Sequence, residues 1–208
     1  MIRILGRANS FNVRKVLWTC GELGLEFERE DWGRGFRSTA DPAFRSFNPI
    51  GLVPAVIDGD KILRESNTIV HYLVSKYAPG SQMYPTDLAA RAHAEQWMDW
   101  ANYETSISLR GAFLGGMLKE PPWNHPWFVE RGRAQISIEV GQLNEHLKYT
   151  GPYVTGTNFT VGDIPVGLVV NRWFHLNFDR TRYEAVEKYY ETLSERPAYK
   201  AYVRNGLP

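Results

Sequence analysis

Apolar and polar positions alternate at two different periods along this chain, and the change of period divides it. Ile2 to Leu5 alternates with a basic residue and predicts a first strand. Gly6 to Phe11 is turn-like. Val13, Val16, Leu17, Cys20 and Leu23 then recur at helical spacing within Asn12 to Leu23, and Gly24 closes that helix. Phe27 to Glu30 predicts a second strand. Strand, helix and strand at this length make a βαβ unit with parallel strands and a right-handed crossover. Asp31 to Asp41 is loop-like, and Pro42 to Phe47 has room for a short helix. Val53 to Ile57 and Lys61 to Leu63 predict a hairpin around Asp58-Gly59-Asp60. Ser66 is placed to cap a helix with the stripe Ile69, Val70, Leu73 and Tyr77.

After Tyr77 the pattern turns helical. Ala78-Pro79-Gly80-Ser81 and Met83-Tyr84-Pro85 read as a boundary, giving an α/β domain over 1–78, a linker over 79–86 and an all-helical domain over 87–208. One long helix is expected from Asp87 to Met117, broken by Pro121-Pro122, and a second from Trp127 to Lys148. Thr160-Val161-Gly162-Asp163 reads as a capped start, with Thr160 as cap and Asp163 answering from the third helical position. The helix that follows is apolar on nearly all sides and should sit at the centre of a bundle. Arg180 to Ser194 and Pro197 to Arg204 complete the helices. The order β-α-β-α-β-β-α in the first part is that of a thioredoxin-like domain.

Composition narrows the function classes. With 208 residues and 43% hydrophobic positions, the chain can bury a sizeable core. A net charge of +1 supplies no general electrostatic case for nucleic acid or an anionic membrane. The first residues hold too short an apolar run for a signal peptide, and Val161 to Val170 is interrupted and too short to span a bilayer. The lone Cys20 allows no internal disulfide and fits a reducing cytoplasm; it falls on the apolar face of the first helix and reads as a core residue. His71, His93, His125, His146 and His175 are scattered over different elements, so no metal site is expected. No Gly-Lys-Ser/Thr phosphate loop occurs.

The chemistry concentrates between Phe47 and Asn67. Pro54 opens a strand without an amide to donate, so it belongs at an edge or special turn, and the Val53-Pro54 bond is expected to be cis. The Val53 amide and carbonyl are then available to pair with an extended peptide. The helix start at Ser66 suits a carboxylate. A backbone clamp and a carboxylate clamp a few residues apart fit a small acidic peptide.

The pattern Asn48-Pro49-x-Gly51-x-Val53-Pro54-Ala55-x-x-Asp58-Gly59, followed by Leu63-x-Glu65-Ser66, resembles the glutathione-binding half of cytosolic glutathione transferases. The Thr160-x-x-Asp163 start resembles the capping motif of that family's helical half. The resemblance covers nearly the whole chain. It implies glutathione as co-substrate with no prosthetic group, a soluble homodimer, and a cytoplasmic detoxifying transferase of the bacterial type. It places Glu65 on the γ-glutamyl ammonium, Ser66 and the Asn67 amide on the carboxylate, and Val53 on the cysteinyl backbone. Many relatives carry Lys, Arg or Gln at the position of Leu52, near the glycyl carboxylate. Leu52 has no charge, so Arg34, Arg37 or Arg45 would substitute, with Arg37 preferred.

Such an enzyme must ionise a thiol. A free thiol has a pKa of about 8.5, so only a few per cent is thiolate at neutral pH. A hydrogen bond donated to a charged acceptor is worth about 1.5–3 kcal/mol, enough to lower that pKa by about one to two. The donor should stand after the first strand, where Ser10 and Asn12 lie; there is no Tyr or Cys between residues 6 and 19. Ser10-x-Asn12 looks like the serine-type and bacterial arrangements, and either residue is the candidate; both are also common helix caps. The acceptor substrate is expected between the domains, against Tyr103, Ile107, Arg110, Phe113, Leu114, Met117 and Trp123, residues whose spacing is equally that of a core. Arg110 would steer an anionic acceptor or steady the thiolate. The rival activities are glutathione-dependent disulfide reduction or peroxide reduction, and a non-catalytic interaction module with the same fold.

Overall fold

A computed structural model describes residues 1–206 and 208. By internal contacts the chain forms two compact units. The first is Met1–Ser81 together with the segment that begins at Pro197; the second is Gln82–Arg196.

In the first unit, β1 (Ile2–Leu5), β2 (Phe27–Glu30), β3 (Ala55–Asp58) and β4 (Lys61–Arg64) form one sheet in the order β2-β1-β3-β4. β1 and β2 are parallel with Ile2 opposite Phe27, joined by α1 (Phe11–Glu22), as the βαβ pattern requires. β3 runs antiparallel to both β1 and β4. Asp58 pairs with Lys61 across a two-residue turn in which Gly59 has φ +62°, a conformation glycine adopts without steric cost. Side chains alternate across the sheet. Ile2, Ile4 and Val56 pack with Val13, Val16, Leu17 and Cys20 of α1 and with Ile69 and Leu73 of α3 (Ser66–Tyr77). Leu5 and Ala55 pack with Trp32 and with Phe44 of α2 (Pro42–Phe47).

α1 departs from the one-sided stripe expected of it: Val13 to Cys20 are all buried. The second face is covered by α9 (Pro197–Tyr202), whose Tyr199 ring lies 4.7 Å from Trp18. Arg14, only 1% exposed, donates from Nε to the Tyr202 carbonyl at 2.8 Å and from Nη2 to Asn205 Oδ1 at 2.9 Å.

The second unit is helical. The expected long helix is present but not uniform. α4 (Leu88–Asp99) runs into a π segment (Trp100–Glu104), then α5 (Thr105–Leu109) and a second π segment (Arg110–Gly115). α6 (Pro126–Thr150) crosses it where Gly111 meets Gly132; a Cβ on Gly111 would come within 2.1 Å of the Phe128 carbonyl oxygen. α7 (Asp163–His175) is buried from Asp163 to Asn171, as its all-round apolar sequence implies. α8 (Glu184–Ser194) begins four residues later than expected.

Asp163 is fully buried. Its Oδ2 accepts from the Thr160 amide at 2.8 Å, and its Oδ1 accepts from the Val154 amide at 3.0 Å and the Tyr189 hydroxyl at 2.9 Å. The carboxylate's reach-back to the Thr160 amide is present, but Asp163 is the first helical residue and not the third, and Gly162, not Thr160, holds the cap position. The Thr160 hydroxyl differs from expectation: it points to the same carboxylate, at 3.3 Å, instead of accepting from a helix amide. Burial pushes the Asp163 carboxyl up to about 6, against the opposing effect of its four donors.

Candidate functional site

Three segments of the first unit meet at the loop after β1. Gly6 has no room for a side chain: a Cβ there would lie 2.4 Å from Val13 Cγ2 and 3.1 Å from Val53 Cβ. The β1–α1 loop is thus pressed against Val53. From the other side, Lys15 of α1, itself fully buried, donates from Nζ to Asn67 Oδ1 at 3.0 Å, which ties α1 to the start of α3. The Gly6–Asn12 loop, Val53 and Ser66-Asn67 are held in one place by these contacts.

Ser10 occupies the position before α1, with φ −80° and ψ 129°, and is 7% exposed. Its hydroxyl makes no cap hydrogen bond, so simple capping does not account for it. Asn12, the second residue of α1, is exposed, and its amide has no hydrogen-bond partner among the described residues.

The Val53-Pro54 bond is cis, as expected. Neither the amide nor the carbonyl of Val53 has a hydrogen-bond partner among the described residues; β3 begins at Ala55, two residues later than the apolar run suggested. Buried Asn48 braces the approach. Its Nδ2 donates to the Leu52 carbonyl at 2.7 Å, and its Oδ1 accepts from the Ile50 amide at 3.1 Å.

The start of α3 corrects the expectation for Ser66. Glu65 holds the cap position, with φ +66° and ψ 108°, and Ser66 is the first helical residue, 7% exposed. The first intrahelical bond runs from the Ile69 amide to the Glu65 carbonyl, so the Ser66, Asn67 and Thr68 amides have no acceptor within the helix. Exposed Glu65 stands beside them.

The residues proposed around these clamps vary in their engagement. Leu52 is 63% exposed. The Arg37 guanidinium lies 3.7 Å over the Trp32 ring and 4.0 Å from Glu30 Oε2. Arg45 donates to the Pro49 carbonyl. Cys20 is wholly buried, and burial, reinforced by the Asp58 charge, pushes its thiol up to about 12. That thiol is a core atom and not a nucleophile.

The chain is similar across its length to proteins of known kind. Residues 5–81 match the family model "Glutathione S-transferase, N-terminal domain". Glutathione S-transferase GstB of Escherichia coli K12 is 36% identical over 211 residues, covering 98% of each chain. The chain belongs to the glutathione transferase family. Glutathione S-transferase 3 of Zea mays is 35% identical over 165 residues, covering 78% of this chain and 73% of the relative. Among solved structures, the theta class glutathione S-transferase of Xanthomonas axonopodis pv. citri with glutathione bound superposes with a TM-score of 0.91 at 35% identity, covering 100% of this chain and 99% of that one. Glutathione is accordingly the co-substrate of this glutathione transferase. Among the described residues no helix is long and apolar enough to cross a membrane.

The acceptor-side candidates of this transferase lie in the second unit and do not act as one group. Tyr103 and Ile107 are 67% and 69% exposed, and exposed Arg110 places its guanidinium 5.3 Å over the Trp123 ring. Phe113 is 5% exposed, with the Arg172 guanidinium 4.2 Å over its ring, and is a core residue. Ile107 and Trp123 line a cavity of about 400 Å³ with Trp127, Phe128, Arg131 and Glu139; Tyr103, Arg110 and Phe113 do not. Lys15 and Glu139 were not singled out in the sequence. Each is a charged residue on a helix, where the default reading is a solvated face, and only packing shows that both are buried.

Proposed function

We propose that this transferase grips glutathione along the Val53 backbone and at the start of α3, with its sulfur beside Ser10 and Asn12. The cysteinyl amide and carbonyl pair with the carbonyl and amide of Val53. The γ-glutamyl carboxylate accepts from the Ser66 hydroxyl and the Ser66 and Asn67 amides, where the positive end of a twelve-residue helix favours an anion. Glu65 takes the ammonium. Arg37 is the preferred cation for the glycyl carboxylate, since Leu52 supplies none. The observation that carries this reading is the backbone amide and carbonyl of Val53, which have no hydrogen-bond partner among the described residues, beside the first turn of α3, with the loop pressed against Val53 at Gly6 and α1 tied to α3 through Lys15.

Ser10 or Asn12 donates to the sulfur and stabilises the thiolate. The thiolate then attacks an electrophilic carbon, the carbon–sulfur bond forms, and the leaving group departs with its electron pair. The protein contributes ionisation and orientation. Tyr103, Ile107 and Arg110, which recur on one helix face, offer an apolar and cationic surface to the acceptor. The enzyme works as a cytoplasmic, detoxifying homodimer on small apolar electrophiles. These readings rest on the family resemblance and on exposed apolar side chains at Tyr103, Ile107, Trp127 and Ile138.

Parallel assays with chlorodinitrobenzene and with hydroxyethyl disulfide test the reaction. Conjugation predicts turnover of the first that falls about tenfold to a hundredfold in Ser10→Ala or Asn12→Ala, the loss expected for one hydrogen bond to a charged sulfur. Turnover of the disulfide alone would replace conjugation with thiol–disulfide exchange, in which two glutathione molecules reduce the substrate disulfide to two thiols and leave joined as glutathione disulfide. No turnover of either, with no uptake of glutathione, would leave an interaction module.

A further inference from the structure

Lys15 stands where a cation is disfavoured. It is fully buried on α1, and its side chain turns back toward the start of that helix, so that Nζ lies 5.2 Å from the centroid of the Phe11 ring. Phe11 is the first residue of α1 and separates Ser10 from Asn12. Nζ also donates to Asn67 Oδ1 at 3.0 Å, and Asn67 is the second residue of α3. The ammonium therefore lies against the first turns of two twelve-residue helices. Each of those turns carries the positive end of a helix dipole, which attracts anions and repels cations. Burial adds the cost of stripping water from the charge. An apolar side chain of the same length would fill the space with neither penalty.

A bound anion turns these penalties into attraction. The γ-glutamyl carboxylate assigned to the Ser66 and Asn67 amides is such an anion. Nζ and Oδ1 are 3.0 Å apart. An asparagine spans less than about 5 Å from Oδ1 to its own amide nitrogen, and a hydrogen bond adds about 3 Å. The ammonium is therefore within about 11 Å of a carboxylate held on the Asn67 amide. Over that distance, at an effective dielectric constant of about 20, one unit charge changes the affinity for an opposite one by about tenfold.

We propose that Lys15 is a positioning residue for the γ-glutamyl carboxylate of glutathione, acting through Asn67. Its hydrogen bond holds the second residue of α3 in place, and its charge makes this helix start selective for an anion. Lys15 does not touch the peptide itself; the Ser66 hydroxyl and the two amides do. This role rests on the placing of that carboxylate at the start of α3.

Titration calorimetry on the full chain tests it with two peptides: S-methylglutathione, and γ-aminobutyryl-S-methylcysteinylglycine, which lacks only the γ-glutamyl carboxylate. The methyl group removes thiol ionisation from both. The unaltered protein should bind S-methylglutathione at least about thirtyfold more tightly than the analogue, the worth of hydrogen bonds donated to a charged acceptor. Lys15→Met keeps the length of the side chain and removes its charge. It should cut that ratio by about tenfold, weakening S-methylglutathione while the analogue stays within about twofold. A tie that merely held α1 against α3 would weaken both peptides together and leave the ratio where it was. If Lys15→Met fails to fold, Asn67→Leu decides, at a half-buried position. It removes the acceptor through which Lys15 acts, and the ratio should fall by at least about threefold; an unchanged ratio overturns the assignment. A ratio near one in the unaltered protein, or no uptake of either peptide, would remove the carboxylate from α3 and the role of Lys15 with it. A high ratio that survives in Lys15→Met would overturn the role of Lys15 alone and leave the carboxylate where it is.

Discussion

Replacing Asp163 with alanine tests how much of the helical unit hangs on one buried carboxylate. Four donors would lose their acceptor at once: the Thr160 amide, the Val154 amide, the Tyr189 hydroxyl and, more weakly, the Thr160 hydroxyl, at 2.8, 3.0, 2.9 and 3.3 Å. A buried donor left unsatisfied costs about 1–3 kcal/mol. Entry of water and removal of a desolvated charge offset part of this, so a net loss of about 3–6 kcal/mol is expected. Asp163→Asn keeps one carbonyl oxygen but turns an amide N–H₂ toward donors, and should lose about half as much. The assay is urea unfolding followed by tryptophan fluorescence. With a slope of about 2–3 kcal/mol per molar, alanine should lower the midpoint by more than 1 M. The pH dependence has a definite sign. The folded carboxyl is raised to about 6, so the folded protein holds the extra proton between the ordinary aspartate range and that value. Stability from this group is therefore greatest in acid and declines as pH rises toward 6. The gap between the unaltered protein and Asp163→Asn should narrow over that interval and stay constant above it. An alanine variant within 1 kcal/mol of the unaltered protein would refute the reasoning.

Three further outcomes follow from the packing. At Asp58, burial raises the carboxyl, but hydrogen bonds from Lys76, Tyr72 and Tyr77 outweigh it and hold the group below the usual carboxylate range. Its contribution is present above the ordinary aspartate pKa and is lost as pH falls through the lower folded value, so Asp58→Asn should flatten the acid limb of the stability profile. A Cβ at Gly132 would lie 2.6 Å from both the Ala112 amide nitrogen and the Ser108 carbonyl oxygen; Gly132→Ala should lower stability by about 2 kcal/mol or more, read as a fall in Tm. The Cys20 thiol, buried and raised to about 12, should resist alkylation by iodoacetamide in the folded protein and react fully in urea; rapid modification without denaturant would contradict its burial.

How much of this was legible in the sequence depended on whether the cause was local. β1 and β2 fall at Ile2–Leu5 and Phe27–Glu30, where alternation and the βαβ length place them. The Asp58-Gly59-Asp60 turn and the cis bond before Pro54 follow from residue types that permit few backbones. What was not legible is set by distant packing. Ser66 has the composition of a cap, but the chain turns one residue earlier, at Glu65 with φ +66°, a conformation that glutamate does not favour locally. Arg14 and Lys15 carry no local signal of burial; α9, from the far end of the chain, buries the first, and Asn67 receives the second. Phe113 shares a helical face with Tyr103 and Arg110 by spacing, yet only contact with Arg172 shows it to be core. In the candidate site, the segments at Val53 and Ser66 proposed to hold glutathione were visible as motifs. Their bracing by Gly6, Asn48 and Lys15 was not, because each brace joins residues far apart in sequence or acts through a side chain with other ordinary uses.

The most direct test is the ionisation of glutathione on the enzyme, followed by thiolate absorbance against pH. In the unaltered protein the bound thiol should titrate well below its value in water. In Ser10→Ala or Asn12→Ala that value should climb back by about one to two pH units, the equivalent of one hydrogen bond to the sulfur. A bound thiol that titrates as it does in water, or one that neither substitution moves, would contradict the assignment.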